Sequence, residues 1–211
     1  MLPDSTTLAV FLFATLMLNI TPGPDMLYVI ANGVGRGARA GVVSALGIGG
    51  GSIIHTLAGG LGLSAILMSS ALAYDVVRYG GAAYLLYLGI KTIVGRANSI
   101  SGIQPMEQQR LGKVFRQGVA TNVLNPKVAL FFLAFIPQFV DPARGPVFWQ
   151  FVLLGTLFNV SGTLVNTGVA LVAGFAGERL ARNAGFARFQ RWFTGGVFMA
   201  LGARIAMAGP R

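Results

Sequence analysis

Six long apolar runs limit what this chain can become. They cover residues 8–30, 42–68, 76–94, 119–140, 147–173 and 192–208. A run of about 18 or more apolar residues reads as a bilayer span, since roughly 20 helical residues cross the hydrocarbon core. A helix also bonds its own backbone where no water is present to do so. Charge agrees with this reading: Lys, Arg, Asp and Glu make up 10% of the 211 residues, against about 25% in a soluble domain. The 30 glycines suit helices that approach closely in lipid. The expected fold is all-α, a polytopic membrane protein with six transmembrane helices in a single domain over residues 1–211.

A net charge of +10 can signal a nucleic-acid binder. Here the basic residues flank the apolar runs, so the expected surroundings are membrane lipid and no nucleic acid. Counted by loop, eleven Lys and Arg fall after the first, third and fifth runs and four fall on the other side. That bias places loops one, three and five in the cytoplasm and both termini outside. Trp149 and Trp192 fall near span ends, where aromatic belts form. The N-terminal run has only Asp4 ahead of it as a charge, so it does not read as a cleaved signal. With no Cys, disulfides and thiolate chemistry are excluded.

The two halves are related. Pro24-Asp25 aligns with Pro126-Lys127 at an offset of 102 residues, and Leu88-Gly89-Ile90-Lys91 resembles Leu201-Gly202-Ala203-Arg204. Three spans per half, an odd number, invert the second half relative to the first. Repeat one is expected over about 1–95, a polar cytoplasmic linker over about 96–117, and repeat two over about 118–211.

Spans one and four are expected to be broken. Thr21-Pro22-Gly23-Pro24-Asp25 puts two prolines inside the first run, and Pro disfavours helix both at itself and before itself. A new half-helix starting at Pro24 would aim free N–H groups at an anion, with Asp25 in its first turn. Asn125-Pro126-Lys127 repeats the pattern in run four, as an N-cap, a first-turn proline and a cation. A carboxylate or an ammonium at that depth is a functional candidate by default. The plainer readings are a kinked helix with a capping aspartate and a snorkelling lysine. Asp25 and Lys127 are expected at equivalent positions of the two halves, where a pair across the pseudo-symmetry axis would lower the burial cost of each; direct pairing stays open.

Two stripes add candidates. Gly47, Gly51, His55 and Gly59 share one face of span two. The glycines would pack helices, either within one chain or between copies in a homo-oligomer. His55, the one histidine, would bond between helices or carry protons. In span five, Asn159, Thr163 and Asn166 form a polar stripe that is either helix glue or a pathway lining. No metal site, cofactor or catalytic grouping is expected, so the chain does not read as an enzyme.

These residues carry a resemblance. The motif Thr21–Asp25, followed by Gly33–Gly41 with Arg36 and Arg39, resembles the lysine-exporter (LysE/RhtB) family of bacterial amino-acid exporters. So do Gly47-Ile48-Gly49 with His55, Tyr84–Gly89, and Asn125-Pro126-Lys127 followed by Phe131–Phe139. The resemblance implies proton-driven efflux of amino acids or close derivatives across a bacterial inner membrane, nearer the homoserine, threonine and neutral branch. It implies a site at Asp25 and Lys127, with Thr21, Pro22, Gly23, Pro24, Asn125 and Pro126 around them and His55, Asn159 and Asn166 nearby. An exporter of another small solute or metal ion, and a non-transporting scaffold, stay open as alternatives.

Overall fold

The computed structural model of the chain describes residues 3–69, 107 and 109–181, with isolated positions between 76 and 94 and between 192 and 203. The third and sixth apolar runs therefore lie largely outside the described residues. Every regular element among the described residues is helical.

Helix α1 (Ser5–Ile20) begins at Asp4, whose carboxylate accepts from the Thr7 N–H. It stops where the sequence predicts. Thr21 is extended, Gly23 is the N-cap of α2 (Pro24–Arg36), and Pro24 occupies its first turn. The two helices meet at 48°. Helix α3 (Ala38–Ser69) and helix α6 (Val147–Ala181) are long and unbroken. Helix α4 (Leu111–Val123) is followed by α5 (Pro126–Leu130), which Asn125 caps through Lys127 N–H.

Beyond Leu130 the chain widens into a π turn over Phe131–Phe135 and then tightens into 3₁₀ geometry over Ile136–Phe139. Pro137 explains the change, since it has no N–H for the Leu133 carbonyl and its ring crowds that carbonyl. Gln138 compensates one residue on by donating its side-chain amide to Ala134 O at 2.7 Å. The bend between α4 and Pro126–Phe139 is 47°. Two helices among the described residues are thus long and apolar enough to cross a membrane, and the number rises to four if each bent pair counts as one span. The segment expected as linker over 96–117 is helical from Leu111, because Val114 and Gly118 pack inward and continue the span.

Two apolar clusters lie one above the other. The larger joins Phe11 and Leu18 of α1 to Phe131, Phe132, Phe135 and Phe139 and to Phe151, Leu154 and Phe158 of α6. The smaller joins Val29 of α2, Ala45 and Ile48 of α3, and Ala170 of α6. Transfer from lipid gives little hydrophobic gain, so these side chains hold the bundle by contact packing. Phe131 stacks on Phe135 and on Phe158 with centroids 4.8 and 4.7 Å apart. The larger cluster sits toward the end where Arg144 approaches Asp4 at 3.8 Å. The smaller sits toward the end where Arg36 donates to Glu107 O at 2.9 Å.

The glycine stripe of α3 packs inside this chain. A Cβ at Gly47 would strike Phe115 O, one at Gly51 would lie 2.7 Å from Asn122, and one at Gly59 would lie 2.6 Å from the Phe151 ring. Gly51→Ala therefore forces α3 and α4 apart. It should cost about 1–3 kcal/mol, read as a lower thermal midpoint in detergent. Gly112→Ala, where no described atom lies within 4 Å, should hold or raise that midpoint.

Candidate functional site

Between the two apolar clusters lies a polar layer. Three elements show this in their own residue order. On the first broken span, Phe11 to Leu18 join the large cluster, Asn19 to Met26 line a cavity, and Val29 joins the small one. On α6 the order is Phe151 to Phe158, then Asn159 to Asn166, then Ala170. On α3, Ala45 precedes Gly49 and Ser52, and His55 then stacks on Phe132. The cavity has a volume of about 30 Å³, room for about one or two waters.

Each broken span meets the other reciprocally. Lys127, at the second position of α5, donates to Leu18 O at 2.8 Å and to Thr21 O at 2.6 Å. These are carbonyls at the end of α1, where a cation is favoured. Asp25, at the second position of α2, accepts from Asn122 Nδ2 at 2.7 Å, near the end of α4. Shifted by the 102-residue offset, Asn122 falls on position 20, between the two residues whose carbonyls Lys127 holds. The base thus bonds backbone carbonyls beside one break, and the acid bonds a side-chain amide beside the other.

The sequence left open whether Asp25 and Lys127 pair directly. Both line the cavity, but no ion pair joins them. Backbone carbonyls take two of the ammonium's three protons: the break in α1 leaves Leu18 O with only the Thr21 N–H, shared with Met17 O, and Thr21 O with no N–H of its own helix. Gly23 leaves room for this arrangement: an added Cβ would lie 3.2 Å from Lys127 Cδ, so the lysine would have to shift by a few tenths of an ångström. Its extended backbone would suit any residue.

The other sequence candidates divide. Thr21, Asn159 and Asn166 line the cavity. Thr21 also donates its hydroxyl to Met17 O at 2.8 Å, closing the end of α1. Pro22, Pro24 and Pro126 shape the breaks without lining the cavity. Asn125 is buried as the cap of α5, its amide beside the Asp25 carboxylate but out of bonding reach. His55 stands behind the cavity wall, with Nε2 3.1 Å from Asn122 O. Since a carbonyl only accepts, Nε2 carries the proton, which leaves Nδ1 bare in the neutral ring. The span-five stripe is a cavity lining, with Thr163 donating to Asn159 Oδ1 at 3.2 Å.

Thr163 lines the cavity with the rest of its stripe, and so do Asn122, which precedes the second break, and Asn19 and Ser52, which no sequence motif picked out. Ser52 donates to Asn122 Oδ1 at 3.4 Å and Asn19 donates to Ser161 Oγ at 3.0 Å. A search for buried amides within apolar runs finds Asn19 and Asn122. Among the described residues no three of His, Cys, Asp and Glu come together, and the wall offers amides, hydroxyls, one carboxylate and one ammonium.

A polar cavity walled by two interrupted spans inside an apolar helical bundle is the construction of a membrane transport protein. The family model described as LysE type translocator matches residues 16–209, and the chain belongs to this family. It is 30% identical over 199 residues to a homoserine/homoserine lactone efflux protein of Salmonella typhimurium, covering 94% of this chain and 95% of the relative. It is 26% identical over 196 residues to a leucine efflux protein of Salmonella choleraesuis, covering 93% and 92%. An uncharacterized membrane protein of Vibrio cholerae is 30% identical over 199 residues, covering 94% and 95%. No solved structure matches the chain.

Removing the Lys127 ammonium should open the clasp. Lys127→Met leaves Thr21 O buried without its partner, a cost of about 1–3 kcal/mol. Unfolding in detergent should show a midpoint several degrees lower.

Proposed function

We propose that this chain is a secondary transporter that exports amino acids or close derivatives from the cytoplasm, coupled to the proton gradient. One observation carries the reading: two half-helix starts place a carboxylate, Asp25, and an ammonium, Lys127, on the wall of one cavity. A zwitterion needs one group of each sign. The names of two relatives, which speak of homoserine and leucine, support the same class.

Asp25 attracts the substrate ammonium or carries the coupling proton. Lys127 has one N–H left beyond its two carbonyls, and with it the ammonium meets the substrate carboxylate. Thr21, Pro22, Gly23 and Pro24 on one side, and Asn125 and Pro126 on the other, hold these two starts in place. His55 reaches the site through Asn122. Asn159 and Asn166 line the far wall.

The architecture proposed is six helices in two inverted repeats of three, joined by the segment before α4. The equal bends of 48° and 47° and the clasp contacts related by one offset support it. A cavity of about 30 Å³ admits water but no amino acid, so loading requires the halves to part, and rocking about the clasp would alternate access. The chain would lie in a bacterial inner membrane with loops one, three and five cytoplasmic. Lys113 and Arg116 at one end, against Arg144 paired with Asp4 and Asp141 at the other, support that direction. A homo-oligomer would have to use surfaces other than the glycine stripe.

Inside-out vesicles carrying the purified protein should accumulate labelled neutral amino acids when a proton gradient is imposed. Asp25→Asn should lower the rate about 100-fold or more, and wild-type rates in that variant would remove Asp25 from the mechanism. The chain has no Cys, so single cysteines report sidedness cleanly. Lys113→Cys should react with an impermeant reagent only from the cytoplasmic face and Ala143→Cys only from outside; the reverse pattern would invert the topology.

A further inference from the structure

One lining group is left over once the clasp is complete. Asn166 is 7% exposed, lines the cavity from α6, and its Oδ1 has no hydrogen-bond partner. A buried amide oxygen without a donor is costly, and such atoms are uncommon in folded proteins. Its neighbours on the same helix face are already engaged with each other, Thr163 donating to Asn159. The second oxygen without a partner on the cavity wall is Asp25 Oδ1, whose companion Oδ2 is held by Asn122. Both are acceptors on residues that line one small cavity, and the unpartnered Asn125 amide stands beside the Asp25 carboxylate alone.

Two acceptors facing one small space ask for a group rich in donors. A primary ammonium has three N–H bonds and no lone pair to repel either oxygen. A hydroxyl offers one donor and satisfies one oxygen only. A carboxylate offers none and would be repelled by Asp25.

We propose that Asn166 Oδ1 is a ligand for the substrate ammonium, acting with Asp25, so that the site selects for a primary ammonium more strictly than for a carboxylate. This rests on the export reading above and assigns one residue within it. An amino acid whose carboxylate is masked as an ester or amide still fits the ammonium end, whereas the 2-hydroxy acid of the same side chain does not.

The test uses the full chain in inside-out vesicles with labelled leucine and homoserine, and three competitors: the unlabelled amino acid, its amide and its 2-hydroxy acid. In wild type the amide should compete within about tenfold of the amino acid, and the hydroxy acid should not compete. Asn166→Leu removes the acceptor at similar volume. It should raise KM by about tenfold or more, as for a lost hydrogen bond to a charged group, with kcat changed less than about threefold, and amide competition should weaken by the same factor. Asn166→Asp restores an acceptor and should return KM to the wild-type value or below. A purely structural amide predicts the opposite order, with both variants losing kcat and thermal stability together.

The proposal is overturned if Asn166→Leu keeps the wild-type KM, if Asn166→Asp fails to recover it, or if the hydroxy acid competes as well as the amide in wild type. If wild type moves neither amino acid, the export reading itself falls, a result distinct from a transporter indifferent to position 166.

Discussion

Everything in this bundle depends on how the backbone is satisfied where two spans break. A carbonyl exposed to hydrocarbon has no water to turn to, so a break inside a membrane helix survives only if protein supplies the missing donors. Lys127 does this for Leu18 and Thr21, and at the start of α5 Asn125 supplies the acceptors, taking the Lys127 N–H on its side-chain oxygen and the Val128 and Ala129 N–H groups on its carbonyl. The lysine is a first-turn residue of the second broken span, so repairing one break uses the other. The cavity exists because both helices stop at the same depth and each borrows from its counterpart.

The polar layer is confined by this arrangement. Seven phenylalanines gather on one side of it, from Phe11, the Phe131–Phe139 stretch, Phe151 and Phe158. On the other side the seal is built from Val29, Ala45, Ile48 and Ala170. The glycines of α3 let α4 and α6 come close enough to shut the sides, Gly51 against Asn122 and Gly49 against Thr163. The glycines thus also bring wall residues into place, and a packing change there would alter the site.

Much of the fold was legible because its strongest determinants are local. Prolines at 22, 24 and 126 stop helices whatever surrounds them, and both breaks fall where they stand. Long apolar runs gave α3 and α6 nearly to their ends. The start of α4 was harder to read. Leu111–Gln117 is polar in composition, and only the inward position of Val114 and Gly118 makes it part of a span. The site was legible in its charges and less so in its amides. Asp25 and Lys127 stand out because a charge at depth is rare. Asn122 and Asn19 look unremarkable in sequence, since an amide earns its place only through a partner on another helix, and that pairing is tertiary. For the same reason the sequence left open whether Asp25 and Lys127 pair: the carbonyls that take the ammonium are invisible in a string of side chains.

The two seals differ in kind as well as in thickness. On the Asp4–Arg144 side, rings overlap in tiers, Phe11 against Phe139 at 5.2 Å and Phe132 against Phe158 at 5.3 Å. One ring can turn while its neighbours still fill the gap. On the Arg36 side the contacts are between helix backbones, with Gly33 set against Ala170 O and Gly174 against Ala38. Such a contact has no spare atom to rearrange and separates only when whole helices move. Parting the first seal therefore needs only side chains to turn, and parting the second needs α2 and α3 to move as bodies against α6.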